Sequence, residues 1–265
     1  MPGIDAAAGV ASAPAPGAVR LAEEQVSGPV PRFELREWAR SSGLLAGVTG
    51  RGEGGGSGFD LSLKSSAPTA EVLGRWRELS IATGFRAVVT SHQVHGTRVA
   101  RHDRRPEGWL IIDGADAHVT ALSGLLLTVS VADCIPVYLV AAERGLGLVH
   151  AGWRGVAGGI LAQALKALRE TTGARADQVT MHCGVGICGS CYEVGADVLQ
   201  HFGRSESRGH LDLRAELARQ ALALGIASVS QSPWCTAHQR DSFFSHRRSQ
   251  GQDGRLIAYL GRREG

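Results

Sequence analysis

An α+β fold, with central mixed β-sheets flanked by helices, is predicted by three features of the sequence. Strand-like runs outnumber helical ones. They do not alternate strictly with helices, which excludes a simple doubly wound sheet. Three runs, 125–132, 137–142 and 146–149, are apolar without interruption, the pattern of strands buried on both faces. The chain has 265 residues, 43% of them hydrophobic, which supplies a full core for one large domain or two small ones.

Residues 1–31 are rich in Ala, Pro and Gly and poor in large apolar side chains. Such a segment buries too little surface to offset chain entropy, so a disordered tail is expected. The domain is then 32–265. The glycine-rich stretch Gly52–Gly58 reads as a mobile loop, with Arg51 at its entrance after a short apolar strand. It lacks the Gly-Lys-Ser/Thr ending of a P-loop. A helix is expected over Thr69–Thr83, capped by Thr69, with Val72, Leu73, Trp76 and Leu79 marking one face and Gly84 ending it.

Strands are expected at 85–90, 97–100 and 109–112, followed by a turn holding Asp113 and Asp116. The three buried strands come next, with Pro136 marking a strand end just after Cys134. Gly158–Thr172 reads as an amphipathic helix whose face is Ile160, Leu161, Ala164, Leu165 and Leu168, stopped by Gly173. A strand at 178–182, a helix at 212–224 ended by Gly225, and strands at 226–230 and 256–260 complete the order.

A net charge of +3 is small for this length. It argues against non-specific nucleic-acid binding and suits a small anionic substrate. Five cysteines fit a reducing compartment. No signal-peptide pattern and no membrane-spanning run is visible, so a cytoplasmic location is expected. Oligomeric state is not legible.

The chemistry concentrates between Ala132 and Gly155. Cys134 and His150 fall at strand ends, and His95 follows another strand. A lone cysteine or histidine is ordinarily structural. Three such donors at three strand ends instead suggest one ion held by His95, Cys134 and His150, with a fourth position open as in a catalytic zinc. His92 and Gln93 are expected to support the site, Gln93 also facing substrate. Gly152 lets the backbone approach a ligand, and Arg154 offers phosphate a fixed charge with fork geometry. Arg51 is a second anion candidate, and Asp133 a candidate general base or a strand-end cap. Cys188-Gly189-Ser190-Cys191 has thioredoxin-like spacing, but no second CxxC completes a four-cysteine site, so it reads as structural.

Six ordered blocks carry a resemblance: Gln-Val-His-Gly (93–96), Asp-Ala-His-Val-Thr (116–120), Ala-Asp-Cys-Ile-Pro-Val (132–137), His-Ala-Gly-Trp-Arg-Gly (150–155), Cys-Tyr-Glu-Val-Gly (191–195) and Phe-Phe-Ser-His-Arg-Arg (243–248). Together they resemble the YfiH family, also called the polyphenol-oxidase or laccase-domain family, which includes the peptidoglycan editing factor and FAMIN. The match covers about residues 43–261. It implies a single domain like that of a toxin deamidase. It also implies a transition metal, zinc or alternatively copper, on His95, Cys134 and His150. The activity implied is phosphorolysis of adenosine, inosine and methylthioadenosine, with adenosine deamination beside it, so the partners are a nucleoside and phosphate.

Two departures stand out. Ser62 replaces a usual Asn in the 51–63 loop, and Gly184–Ile187 replaces a Gly-Pro block. Two rival readings remain. One is a cysteine hydrolase or amidase using Cys134 and His150, with the Gly152 and Arg154 amides as oxyanion hole. The other is a copper phenol oxidase, weakened by the absence of any His-x-His pair among ten histidines and by only two methionines.

Overall fold

The computed structural model describes residues 14–52, 58–62 and 67–264. Most of the glycine-rich loop lies outside them. Two seven-stranded mixed sheets form the centre. The first runs, edge to edge, through Val19–Arg20, Ser228–Gln231, Thr180–Cys183, Ile135–Val140, Leu146–Ala151, Ala117–Thr120 and Val99–His102. The second runs through Glu24–Val26, Arg32–Glu34, Leu44–Thr49, Leu256–Arg262, Leu125–Val131, Ala87–His92 and Trp109–Asp113. Glu193–Gly195 and Arg208–His210 make a separate two-stranded ribbon.

The sheets stack face to face, with helices on both outer sides. Burial of both faces explains why the central runs are apolar at nearly every position, Thr128 and Ser130 excepted. Leu125, Leu127, Val129 and Val131 pack between the sheets against Tyr138, Val140, Leu146 and Leu148. Leu126 points the other way, toward Val72, Trp76 and Leu79 of the helix Thr69–Thr83. In the first sheet Val137, Leu139, Val149 and Ala151 face the helices Ile160–Thr172 and Leu213–Ala223.

Helix boundaries follow the expected stops, with adjustments at the starts. Gly84 and Gly173 end their helices in the left-handed conformation, at φ +79° and +69°. Pro68, not Thr69, occupies the N-cap of the first long helix, and no side chain caps it. The helix expected from Gly158 begins at Ile160. Gly159, at φ +83°, breaks it from a short helix Trp153–Ala157. Asp212 caps its helix by accepting the N–H groups of Arg214 and Ala215. The strands expected at 85–90 and 97–100 are each displaced two residues, to 87–92 and 99–102.

The expected disordered tail is corrected in part. Residues 1–13 lie outside the described residues, but 14–31 carry strands that edge both sheets. The anchor is Glu23, fully buried. Its carboxylate pairs with His182 Nε2 at 3.1 Å and accepts the Ser232 hydroxyl at 2.6 Å, while its carbonyl accepts the Trp234 indole N–H. Val30 is also buried. Composition averages hide such anchors, because one satisfied buried charge and one apolar side chain suffice to fix a short segment. Among the described residues no helix is long and apolar enough to cross a membrane.

His102 and His118 form a buried pair, Nε2 to Nδ1 at 3.0 Å. Ser91 donates its hydroxyl to the Ala115 carbonyl, so His118 Nε2 donates to Ser91 and His118 Nδ1 accepts from His102. That chain of bonds holds with both rings neutral. Burial, reinforced by the His102 charge, pushes His118 down to about 3, and burial also lowers His102. A histidine depressed in the folded state leaves stability intact above its unfolded value and removes it as pH falls. Between pH 6.5 and pH 4, His118 should therefore contribute a stability loss of about 1.4 kcal/mol per pH unit. Urea titrations of wild type and His118→Gln across that window should show a shallower slope in the variant; equal slopes would refute the assignment.

Candidate metal centre

The strand Leu125–Val131 belongs to the second sheet and Ile135–Val140 to the first. Cys134 sits where the chain crosses between them. Ile135–Val140 then turns back as an antiparallel hairpin, which sets His150 across from Pro136 at the hairpin's open end. His95 follows Ala87–His92 in a tight loop at φ +59°, a left-handed value that few non-glycine residues adopt. The ring nitrogens of His95 and His150 and the Cys134 sulfur lie within 4.8 Å of one another. The two imidazoles meet edge to face, centroids 4.8 Å apart.

Asp116 organises this arrangement. It is completely buried, yet its carboxylate accepts the backbone N–H groups of Val94, His95 and Gly96 at 3.2, 2.9 and 2.8 Å. The same carboxylate holds His150 Nδ1 at 2.9 Å. Burial alone would raise its pKa; the His150 contact and the Gly96 and Val94 N–H groups bring it below the usual carboxylate range. Because His150 Nδ1 is committed to Asp116, Nε2 is left for the ion. The local sequence pattern shows this carboxylate as half of an ordinary turn, and the block Asp-Ala-His-Val-Thr that it opens gives it no role.

The ligand set fits a transition metal on its own chemistry: one thiolate and two imidazoles, one imidazole oriented by a carboxylate. Burial would push the Cys134 thiol up, but the charge and hydrogen bond of His150, then those of His95, draw it down to about 6. Burial would likewise lower His150, but the Cys134 charge and the Asp116 hydrogen bond raise it to about 9. The thiolate a metal requires is thus the favoured form at neutral pH. Gly152 proves essential for clearance: a Cβ there would stand 2.9 Å from His95 Cδ2 and 3.0 Å from Cys134 Sγ.

A cavity of about 950 Å³ opens over the three donors, lined also by Gln93, Asp133, Trp153, Arg154, Tyr192 and Arg247. Arg154 stacks on Trp153 at 4.3 Å. Asp133, at φ +89°, accepts the Thr236 hydroxyl on one oxygen and the Arg247 N–H on the other, both at 2.6 Å. Gln93 donates to the Ser130 carbonyl and accepts the Ser130 N–H, extending the sheet edge. Arg51 is not brought to the ion. It pairs with Asp253 at 2.6 Å, stacks on Phe244 and lines a separate cavity. His92 is not one of the three clustered donors, but it lines the same cavity, exposed beside Asp113. Arg247 and Tyr192 lie in quoted sequence blocks, but nothing in local pattern marks them as cavity residues.

The family profile described as "Multi-copper polyphenol oxidoreductase laccase" matches residues 45–263. The chain belongs to this, the YfiH family. A YfiH-type relative, purine nucleoside phosphorylase YlmD of Geobacillus stearothermophilus, is 31% identical over 264 residues, covering 87% of this chain and 96% of that protein. The crystal structure of YlmD from that organism superposes with a TM-score of 0.82 at 27% identity, covering 91% of this chain and all of that one. A purine nucleoside phosphorylase of Deinococcus radiodurans is 36% identical, covering 79% of this chain and 85% of that protein. Adenosine deaminase RL5, from an unknown prokaryotic organism, is 33% identical, covering 66% of this chain and 73% of that protein. The YfiH fold and the α+β class expected from the sequence hold.

Two variants test the geometry. Asp116→Asn should weaken metal binding about 10- to 100-fold, the usual cost of losing a ligand's supporting carboxylate; competition against a chromogenic chelator measures it, and unchanged affinity would refute the role. Gly152→Ala should lose most bound metal while its far-ultraviolet circular dichroism stays native; full metal occupancy would show that the close contact is not limiting.

Proposed function

We propose that this chain is a metal-dependent purine nucleoside enzyme. It cleaves adenosine, inosine and methylthioadenosine with phosphate to free base and the ribose 1-phosphate, and deaminates adenosine as a second reaction. The observation that carries this is the convergence of His95, Cys134 and His150 at the floor of one cavity with Arg154 and Arg247 on its wall. The names of the relatives give the substrate class.

His95, Cys134 and His150 would hold a transition metal, zinc in preference to copper, which would supply Lewis acidity. The remaining work falls to the chain. Arg154, stacked on Trp153, presents a fixed cation to phosphate. Arg247 is a second such charge, stacked on Tyr192 and anchored to the Glu193 carbonyl. In phosphorolysis a phosphate oxygen bonds to the ribose C1′ as the C1′–N9 bond breaks, and the bonding pair leaves with the base. Burial, then the Cys134 charge, pushes the Tyr192 phenol up to about 12, so it faces substrate as a neutral donor. With both oxygens engaged, Asp133 serves to fix the peptide before Cys134 rather than to take a proton. Arg51, paired with Asp253, is a weaker phosphate candidate than Arg154.

A cysteine-hydrolase reading is favoured by one observation, the thiolate–imidazolium character of Cys134 and His150. Metal ligation would quench that nucleophile, so occupancy of the three-donor centre separates the two. A copper phenol oxidase has the family description behind it. Against it, Met181, the one methionine among the described residues, is buried under the helices of the first sheet and does not line the cavity.

Chromatography of reactions with each nucleoside, with and without phosphate, should show free base only when phosphate is present. Cys134→Ala should lose turnover together with the metal of the His95–Cys134–His150 centre. Arg154→Ala should raise the KM for phosphate about 10- to 100-fold, the worth of one charge-assisted interaction. Full turnover in Cys134→Ala protein with that centre empty would refute the proposal.

A further inference from the structure

We propose that Cys188, Cys191, Cys235 and His238 bind a second metal ion, a structural zinc, separate from the ion of the cavity. The four donor atoms all lie within 4.8 Å of one another. Tetrahedral zinc, with bonds of about 2.0–2.3 Å, sets such donors about 3.5–3.8 Å apart, so closure needs only side-chain adjustment.

Two matching turns build the set. In Cys188-Gly189-Ser190-Cys191 the Cys191 N–H bonds the Cys188 carbonyl at 3.1 Å. In Cys235-Thr236-Ala237-His238 the His238 N–H bonds the Cys235 carbonyl at 3.2 Å. Each turn brings its first and fourth side chains to one side. The turns face each other: Cys191 Sγ lies 3.2 Å from His238 Nε2, and the Cys188 N–H points at Cys235 Sγ at 3.3 Å. All these cysteines are free thiols. The missing second pair is therefore a CxxH, which spacing rules for paired cysteines pass over.

The scaffold is prepared without an ion. Buried Arg214 donates to the carbonyls of Gly184, Gly186 and Trp234, clamping the two loops side by side. Three thiolates and an imidazole select zinc over harder cations, and four protein ligands leave no open position. This is a closed, structural set, unlike the three-donor centre. Its consequence reaches the cavity. Cys191 precedes cavity-lining Tyr192, and Thr236, next to Cys235, holds the Asp133 carboxylate. The second ion thus locks the loops that fix the backbone before Cys134.

The test counts metal on full-length protein purified with a non-thiol reductant. Elemental analysis should give two equivalents of transition metal in wild type and one in Cys134→Ser. Cys191→Ser and His238→Ala, both at less buried positions, should each lose one equivalent while the three-donor centre keeps its own. Cobalt added to metal-stripped Cys134→Ser should produce the intense visible bands of a tetrahedral thiolate complex, and Cys134→Ser/Cys191→Ser should not. A Cys134→Ser protein that holds no metal, gives no cobalt bands and keeps its thiols free overturns the proposal. So does wild-type metal content in both Cys191→Ser and His238→Ala.

Discussion

One buried carboxylate governs the centre of this molecule. Asp116 has no solvent to hydrate its charge, so the fold must satisfy it, and it does so with three consecutive N–H groups and an imidazole. An unpaired charge at that depth would cost several kcal/mol. The same bonds that meet this requirement curl residues 94–96 into the conformation that presents His95, and fix which His150 nitrogen is free. Stability and ligand geometry are therefore a single constraint. The strain of a left-handed histidine is held in place by a group the fold cannot leave unbonded.

The two-sheet stack gives that constraint something rigid to act on. Leu125–Val131 and Ile135–Val140 lie in different sheets, and the three residues joining them include Cys134. Every side chain of the latter strand is buried, so the crossing point has little freedom. A sulfur at such a junction is placed by both layers at once. The close passage of Gly152 completes the enclosure, and a side chain of any size there would collide with His95 and Cys134.

Much of this was legible in the sequence, for reasons that are local. Gly84, Gly173 and Gly225 announce helix ends because a left-handed residue is needed there, and all three take positive φ. The apolar strands are readable because burial on two faces removes polar positions from the pattern. The convergence of His95, Cys134 and His150 was readable because reactive side chains at strand ends are conspicuous. What escaped was long-range. Asp116 looks like a turn residue until the chain brings it under His95, and Glu23 looks like a tail residue until His182 is seen beside it. Cys235 and His238 lie far along the chain from the CxxC they face. Boundaries moved by two residues at strands 87–92 and 99–102 because pairing partners, not intrinsic preference, decide where a ladder starts.

The segment from Val19 to Val26 has a further consequence. It supplies the outermost strand of both sheets, pairing with Ser228–Gln231 on one and Arg32–Glu34 on the other. A single stretch therefore pairs with two separate rows of backbone donors and acceptors and leaves edges of only two and three residues in their place. Clipping it would uncover two differently oriented edges on one molecule, and two non-equivalent sticky edges favour open-ended polymerisation over a closed dimer.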